Sequence, residues 1–415
     1  MRRAVALAAA LLVAVPALAA SAAADPVRVF ALGPRVSPDW IDTREHYRAK
    51  LLALADARER GRPGVPPVAD GAGDVASHRL GGGRDLVTLP EDVGLIAAFT
   101  GERGTAARAA TSLVDAIVAL IGAYGPVSEH YARRFPELTR RPLPTRLLVV
   151  SMTDTFARTA VETFAELADR LDATLVAGVN MARDWRVVCV SKATFRPPPG
   201  AERCDVEDPA LVAALRAPDE PQRDYAYEAT TPDAVNMALV FGPDGRIVAR
   251  QVKTYLTPLE LPSQLDLRPG PVSGLTAVDT PAGRIGVVIS KDAWMPDVLD
   301  RLDADGVRLL VQPEFFVGDT VAATGMWAPD NLKASGYADV LRHPSFAALG
   351  LPSMTGQVFD VAADAQSHVA VKPRTAGAGP AGRLVGQDPA PGFAAVQPWS
   401  VPDPLGEPVV ARRAR

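Results

Sequence analysis

Four side chains with catalytic potential lie just beyond predicted strands in this sequence. Glu91 follows the apolar run 86–89, Lys253 ends a predicted hairpin, and Glu260 lies seven residues after Lys253. Ser290 follows the apolar run 286–289 and precedes a predicted helix. A serine beside carboxylates and a lysine could act as a nucleophile assisted by a general base. Because residues at the carboxyl ends of neighbouring strands converge in α/β folds, we expect Glu91, Lys253 and Ser290 to share one pocket.

Each of these residues also has an ordinary structural interpretation. Glu91 could cap a helix, Lys253 could be a solvated residue at a sheet edge, and Ser290 could cap the helix that follows it. The common catalytic signatures are absent from the sequence, which has no Gly-x-Ser-x-Gly elbow, no His-Glu-x-x-His, no Walker A motif and no Gly-x-Gly-x-x-Gly. The candidate site therefore depends on the three strand ends taken together.

The elements that would position these residues alternate between strand and helix, which is typical of an α/β fold. The two halves of the predicted hairpin, 238–241 and 246–253, flank the turn sequence Gly-Pro-Asp-Gly. Asp154 is predicted to cap a long helix that runs to Leu171. The remaining predictions are strands at 27–32, 85–89, 147–151, 175–179, 285–289 and 309–311, and helices that begin at Asp42, span 111–124 and span 296–302.

The composition excludes several classes of protein. The chain has 415 residues, of which 48% are hydrophobic and 22% charged, with a formal net charge of −4. These values are ordinary for a globular protein and exclude a disordered or collagen-like chain. The mildly acidic balance argues against a nucleic-acid partner. Five histidines and two cysteines leave few ligands for a transition metal, and no cofactor is expected.

The N-terminus has the pattern of a secretory signal peptide. Arg2 and Arg3 precede the apolar run 4–18, and small residues up to Ala24 offer a cleavage site. We therefore predict a signal peptide at 1–24, a single domain at 25–376 and an irregular extension rich in proline and glycine at 377–415. An uncleaved N-terminal anchor is the alternative. No later run of 18 apolar residues occurs, so the mature chain is predicted to lack a membrane span and to function outside the cytoplasm.

The two cysteines have a straightforward interpretation in that location. Cys189 and Cys204 are separated by 15 positions in a segment rich in proline and charge. In an oxidising compartment an isolated pair of this kind is expected to form one disulfide that closes a loop. The alternative is two separate free thiols.

The order of the three strand ends resembles the nitrilase, or carbon–nitrogen hydrolase, superfamily. The resemblance runs from Val27 to Lys372, with insertions near 57–83, 101–146 and 187–232, and it is loose after Trp327. It implies a four-layer αββα sandwich, usually paired into homodimers, that cleaves small amides or nitriles. The most specific matches are Asn236 to Glu260 and Gly283 to Pro313.

The resemblance also implies roles for individual residues. Glu91 matches the general base of the family, Lys253 the residue that stabilises the oxyanion, and Glu260 an accessory glutamate. Ser290 stands where the family has its nucleophilic cysteine. The neighbouring positions Gly286, Ile289, Asp292 and Pro296 fit the family pattern, and Asp297 replaces the usual glutamate.

The serine changes the chemistry that the resemblance implies. A cysteine thiol ionises readily beside a cation, whereas a serine hydroxyl needs a well-matched base within hydrogen-bond reach. Glu91 would be a weak base unless burial raised its pKa, and Lys253 could serve only if it were deprotonated. A charged Glu91 beside Lys253 would instead keep the lysine protonated.

Three hypotheses follow from the sequence. The protein is a secreted amide hydrolase that uses Ser290, or a pseudoenzyme that binds a small amide or carboxylate, or a structural or partner-binding protein with a vestigial pocket. The retention of Glu91, Lys253 and Glu260 argues against the third hypothesis, because perturbed charge clusters are characteristic of functional sites. We favour the hydrolase.

Overall fold

A computed structural model describes most of the predicted domain. The described residues are 27–55, 84–140, 144–316, 334–364 and 367–372, together with the backbone of 381–384, 394–395, 399–401 and 412–413. The predicted signal peptide at 1–24 and most of the predicted extension at 377–415 lie outside these residues. Among the described residues, no helix is both long and apolar enough to span a membrane.

The first main sheet carries Glu91 and Lys253 at its strand ends. Three neighbouring strands, Val27–Gly33, Leu86–Thr88 and Thr174–Ala182, run parallel. The antiparallel hairpin of Ala234–Phe241 and Ile247–Val252 completes one side of the sheet and confirms the predicted hairpin. On the other side, the backbone of Ala394–Ala395, Trp399–Val401 and Arg412–Arg413 adds short strands, so these parts of the predicted irregular extension pair with the sheet.

The second main sheet carries Ser290. Its strands in spatial order are Val278–Thr280, Gly283–Val287, Leu309–Val311, Ala348–Leu351, His368–Val371 and Ala381–Leu384. The second, third and fourth of these strands are parallel neighbours, so their carboxyl ends lie at one edge of the sheet. Two smaller sheets join Arg35–Val36, Thr355–Val358 and Val361–Asp364, and Trp185–Cys189, Asp205–Val206 and Tyr225–Ala229.

The two main sheets pack face to face. Side chains alternate across each strand, so Val29 and Ala31 point to the second sheet, whereas Phe30 and Leu32 point to the helices outside the first. From the second sheet, Val287 and the other inward residues complete this apolar layer. Burial of these two inner faces supplies the main hydrophobic contribution between the sheets.

Helices cover the outer face of each main sheet. Two helices, Pro296–Ala304 and Gly336–Arg342, pack on the second sheet. The helices Thr145–Ser151, Thr153–Phe156 and Glu162–Leu171 pack on the first sheet, and Arg44–Ala55 packs on Glu162–Leu171. The remaining helices of this side belong to the same hydrophobic cluster and are Thr105–Arg108, Leu113–Ala123, Gly125–Arg134 and Pro209–Leu215. The order helix, sheet, sheet, helix confirms the predicted four-layer αββα sandwich.

Two sequence predictions on the first sheet's outer face are wrong. The run 147–151 was predicted as a strand, but it belongs to the helix Thr145–Ser151, which is buried on every side. An apolar run this short has no periodicity that separates a strand from a buried helix. Asp154 caps no helix, because its carboxylate accepts hydrogen bonds from the Arg223 guanidinium at 2.6 and 2.9 Å.

The predicted disulfide between Cys189 and Cys204 is present and buried. The two Cα atoms lie 5.7 Å apart, and each cysteine is at most 5% exposed. The bond ties the strand Trp185–Cys189 to the loop before Asp205–Val206. The cross-link closes a loop of 15 residues and thereby limits the freedom of the unfolded chain.

Replacing both cysteines by alanine is expected to lower the free energy of unfolding by about 3 kcal/mol, the loop-closure contribution for a loop of this length. Urea unfolding of the oxidised wild type and the Cys189→Ala/Cys204→Ala variant would measure the difference. A reducing agent should weaken the wild type and leave the variant unchanged. Identical unfolding midpoints for the two proteins would contradict the prediction.

Candidate active site

Glu91 lies three residues after the strand Leu86–Thr88 and is 3% exposed. One carboxylate oxygen, Oε1, accepts hydrogen bonds from Lys253 Nζ at 2.6 Å and Asn236 Nδ2 at 2.7 Å. The other oxygen, Oε2, accepts a hydrogen bond from the backbone N–H of Phe315 at 3.1 Å. Burial raises the pKa of Glu91, and the charge of Glu260 adds to this effect, although Lys253 opposes it. These contacts make Glu91 a fixed carboxylate, and a cap role is not needed to explain it.

Lys253 follows the strand Ile247–Val252 and is only 1% exposed. Its Nζ contacts Glu260 Oε2 at 2.9 Å in addition to Glu91 Oε1. Burial alone would lower the pKa of Lys253, but the two carboxylates outweigh burial and raise it above the ordinary value. Lys253 is therefore a buried ammonium ion, which excludes the solvated edge residue considered from the sequence.

Glu260 ends a single helical turn, Pro258–Glu260, and its carboxylate is held on both sides. Its Oε2 accepts hydrogen bonds from the N–H of Thr257 at 2.7 Å and the Thr257 hydroxyl at 2.9 Å. Burial would raise the pKa of Glu260, but the Lys253 charge and the hydrogen bonds from Thr257, Lys253 and Asn236 together outweigh burial and lower it. Glu260 is therefore the second counter-ion of Lys253.

Asn236 joins the two glutamates and had no role in the sequence analysis. Its amide nitrogen donates to Glu91 Oε1 and to Glu260 Oε1, both at 2.7 Å. It lies in the strand Ala234–Phe241, which is buried along its whole length. A single asparagine in an otherwise apolar strand was the available signal, since a buried amide needs polar partners.

Ser290 begins the helical turn Ser290–Trp294, directly beyond the second sheet, and is 8% exposed. Its φ is 45°, a left-handed conformation that a residue with a Cβ adopts only at a cost. Strained turns between a strand and a helix occur at nucleophiles, because they project the side chain out of the backbone. The Ser290 hydroxyl donates to Glu314 Oε1 at 2.7 Å.

Glu314 is a site residue that the sequence analysis missed. It lies three residues beyond the strand Leu309–Val311 and is 1% exposed. Its Oε2 accepts a hydrogen bond from Gln312 Nε2 at 3.2 Å. Burial, assisted by the charge of Glu91, raises the pKa of Glu314 to about 7. The signal was its position, since Glu314 follows a parallel strand at the same edge as Ser290.

The structure brings the sequence-predicted residues together in two linked groups. Glu91, Lys253 and Glu260 contact one another directly, and Ser290 contacts Glu314. Glu314 and Phe315 are adjacent in the chain, so a single peptide unit connects the Ser290 partner to the N–H that binds Glu91. In the described ranges, no group of three His, Cys, Asp or Glu side chains is placed to hold a metal ion.

Asp292 connects the two segments that carry Lys253 and Ser290. Its carboxylate accepts hydrogen bonds from the N–H groups of Tyr255 at 2.7 Å, Thr254 at 3.1 Å and Ile289 at 3.3 Å. Burial raises the pKa of Asp292 to about 6. The side chain therefore fixes the strand end of Lys253 relative to the turn of Ser290.

Replacing Asp292 by alanine is expected to lower the free energy of unfolding by about 3 kcal/mol, because three N–H groups lose their partner. Asp292→Asn keeps one acceptor oxygen and should lose less. Asp297→Ala is the matched control, since the Asp297 carboxylate accepts a hydrogen bond from the Tyr255 hydroxyl at a position exposed to solvent. Urea unfolding measures all three variants, and a wild-type midpoint for Asp292→Ala would contradict this role.

One family model matches part of the chain. The carbon-nitrogen hydrolase model matches residues 215–336, which include Lys253, Glu260, Ser290 and Glu314. Glu91 precedes the matched segment. No curated protein matches the chain in sequence.

Solved structures similar to the chain include amidases from Nesterenkonia sp. A crystal structure of one such amidase is 13% identical, with a TM-score of 0.38 over 91% of this chain and 88% of that chain. A nitrilase-superfamily amidase variant from strain AN1 with serine in place of cysteine is 13% identical, with a TM-score of 0.42 over 91% and 90%. A further AN1 variant carries the acetamide moiety of fluoroacetamide on its active-site cysteine and is 12% identical, with a TM-score of 0.42 over 91% and 88%.

Proposed function

We propose that this chain is a secreted member of the carbon–nitrogen hydrolase family that hydrolyses small amides, or nitriles, with Ser290 as its nucleophile. The family match at 215–336 supports the class of reaction. The observation that carries the proposal is the buried cluster of Glu91, Lys253 and Glu260 linked to the strained Ser290. A cluster of this kind costs stability, and such clusters occur where chemistry requires them.

The geometry supports a distinct role for each charged residue. The ammonium of Lys253 can stabilise the negative charge that develops on the carbonyl oxygen of an amide under attack. Glu91 and Glu260 keep Lys253 protonated and in place. Two buried carboxyl groups, Glu91 and Glu260, contact the one lysine, and Glu314 interacts with it electrostatically. An uncharged amide therefore fits this environment better than an anionic ligand.

The alternative is a pseudoenzyme that binds a small amide or carboxylate without turnover. One observation favours it, namely that Glu91 already holds Lys253 and two further donors and offers Ser290 no direct hydrogen bond. A serine that does not contact the family's base reacts slowly unless another group accepts its proton. The two proposals differ in the activity of the protein as it stands.

Ammonia release from a panel of aliphatic and aromatic amides and nitriles tests the proposal. The wild type is expected to release ammonia from at least one compound at a rate that scales with enzyme concentration. Ser290→Cys is the comparison, because its thiol ionises more readily. If only the cysteine variant releases ammonia, the wild type is a binding protein and the proposed hydrolase activity is refuted.

The proposed location outside the cytoplasm is supported by the disulfide, since such bonds persist in oxidising compartments. Fractionation of cells that express the full chain checks this location. We expect a mature protein whose N-terminus lies near residue 25. An intact N-terminus in the cytoplasmic fraction would contradict it.

A further inference from the structure

Ser290 and Glu314 form a direct pair that no part of the sequence analysis predicted. The Ser290 hydroxyl donates to Glu314 Oε1 at 2.7 Å, and both side chains are buried. Gln312 donates to the other carboxylate oxygen, and its own side-chain oxygen accepts the N–H of Gly336 at 3.1 Å. Glu314 is therefore held in one orientation with one oxygen directed at the serine.

The other charged residues are poorly placed to accept the serine proton. Glu91 Oε1 already accepts two hydrogen bonds, and its Oε2 accepts the N–H of Phe315. Lys253 is a protonated ammonium between two carboxylates and has no free electron pair. A general base must lie within hydrogen-bond reach of the proton that it removes, and Glu314 meets this condition.

We propose that Glu314 is the general base that accepts the Ser290 proton, an assignment that rests on the proposed amide hydrolysis. It differs from the role that the family resemblance implies, in which Glu91 is the base. Glu91 then acts as a positioning residue that holds Lys253 and the backbone beside Glu314.

The acylation step balances with these residues alone. The Ser290 Oγ–H bond breaks, its proton moves to Glu314, and Oγ forms a bond to the amide carbon. The carbonyl π electrons move to oxygen, where the Lys253 ammonium stabilises them. When the carbonyl re-forms, the carbon–nitrogen bond breaks, Glu314 returns the proton to nitrogen, and the amine or ammonia leaves. Water then gives a proton to Glu314 and bonds to the ester carbon. As the bond between that carbon and Oγ breaks, Glu314 returns the proton to Oγ and the carboxylic acid leaves.

The environment of Glu314 suits this task. The charged groups that act on it are Glu91, which raises its pKa, and Lys253, which lowers it, while burial is the largest cause of the rise to about 7. The hydrogen bonds from Ser290 and Gln312 partly offset that rise. A base whose pKa lies near the working pH transfers protons most effectively.

The rate at which a fluorophosphonate labels Ser290 tests the assignment without a known substrate. In this reaction Oγ forms a bond to phosphorus, fluoride leaves, and the serine proton moves to the base. Intact mass and peptide mapping follow the labelling between pH 5 and 9. The wild-type rate should rise with pH and level off above pH 7, and Glu314→Gln should react at least about 100-fold more slowly without that rise.

Two variants control for indirect effects. Glu314→Asp keeps a carboxylate and should recover part of the rate. Glu162→Gln changes another buried glutamate, on the helix Glu162–Leu171, and should follow the wild-type pH profile.

The folded protein binds the Glu314 proton more tightly than the unfolded chain, so the ionised carboxyl destabilises the fold as pH rises. The difference in melting temperature between Glu314→Gln and the wild type should therefore shift in favour of the variant as the pH rises from 5 to 8. If Glu314 had only a structural role, the variant would melt at a lower temperature than the wild type.

The outcomes separate this proposal from the proposed function. If Glu314→Gln is labelled within threefold of the wild-type rate, or if the wild type is not labelled at any pH, Glu314 is not the base. Ammonia release is measured in parallel. Labelling that depends on Glu314 without ammonia release from any amide would refute amide hydrolysis and keep the Ser290–Glu314 pair.

Discussion

Replacing Ser290 by alanine is expected to reduce amide turnover by at least about 10³-fold, because it removes the hydroxyl proposed to form the covalent intermediate. Its hydroxyl is the group that contacts Glu314. The described residues offer no free thiol, because both cysteines form the disulfide. Ammonia release at saturating amide measures the loss. Turnover within tenfold of the wild type would remove Ser290 from the mechanism.

A second substitution separates the chemistry of Ser290 from its backbone conformation. Ser290→Gly loses the same hydroxyl as Ser290→Ala, but glycine adopts a φ of 45° without a Cβ clash. We expect the glycine variant to be more stable than the alanine variant by about 1 kcal/mol and equally inactive. Equal urea midpoints would show that the turn carries no strain.

Replacing Lys253 by methionine is expected to lower the free energy of unfolding by about 3–5 kcal/mol and to abolish turnover. The change leaves Glu91 and Glu260 buried beside each other without their shared cation, and an uncompensated buried charge is costly. Urea unfolding at pH 7 measures the loss. Lys192→Met, at an exposed position, is the control and should stay within about 0.5 kcal/mol of the wild type.

The cause of this loss can be checked by neutralising the whole cluster. Adding Glu91→Gln and Glu260→Gln to Lys253→Met removes the buried charges and should recover much of the stability without restoring activity. Acidic pH should do the same for the single variant. The two glutamates then have folded-state pKa values above the unfolded ones, so stability is present at low pH and lost as pH rises. A loss independent of pH would contradict an electrostatic cause.

The sequence predicts which strand ends carry the site residues, because strand ends can be recognised from local patterns. Apolar runs before Glu91 and Ser290, and a turn sequence inside the hairpin before Lys253, place these residues at strand ends in the structure. The cysteine pair is equally local, since 15 positions and an oxidising compartment predict the bond that is observed. Each of these predictions depends on residues close together in the chain.

The missed residues depend on contacts between distant segments. Asn236 lies 145 positions from Glu91, and Glu314 lies 24 positions from Ser290 on a different strand. Asp292 was recognised as part of a pattern, but its role in joining two strand ends follows from backbone N–H groups 37 and 38 positions away. Hydrogen-bond partners at such separations are fixed by how the sheets pack, which a single sequence does not show.

The same reasoning explains the wrong prediction at 147–151. Val149 and Val150 favour strand by intrinsic preference, yet they lie in a helix that is buried on all sides against the first sheet. The intrinsic preferences for helix and strand differ by only a fraction of a kcal/mol per residue, so the burial of this segment decides its structure. The same packing turns Asp154 inward to Arg223, away from a cap position.

The most direct test of the account is the covalent intermediate on Ser290. The wild type is mixed with 4-nitrophenyl acetate or a reactive amide, quenched in acid within the first turnover, digested and analysed by peptide mass. The account predicts one acyl group on the peptide that contains Ser290, lost on longer incubation and absent from Ser290→Ala. Turnover with the acyl group on another residue, or with no acyl-enzyme at any time, would contradict it.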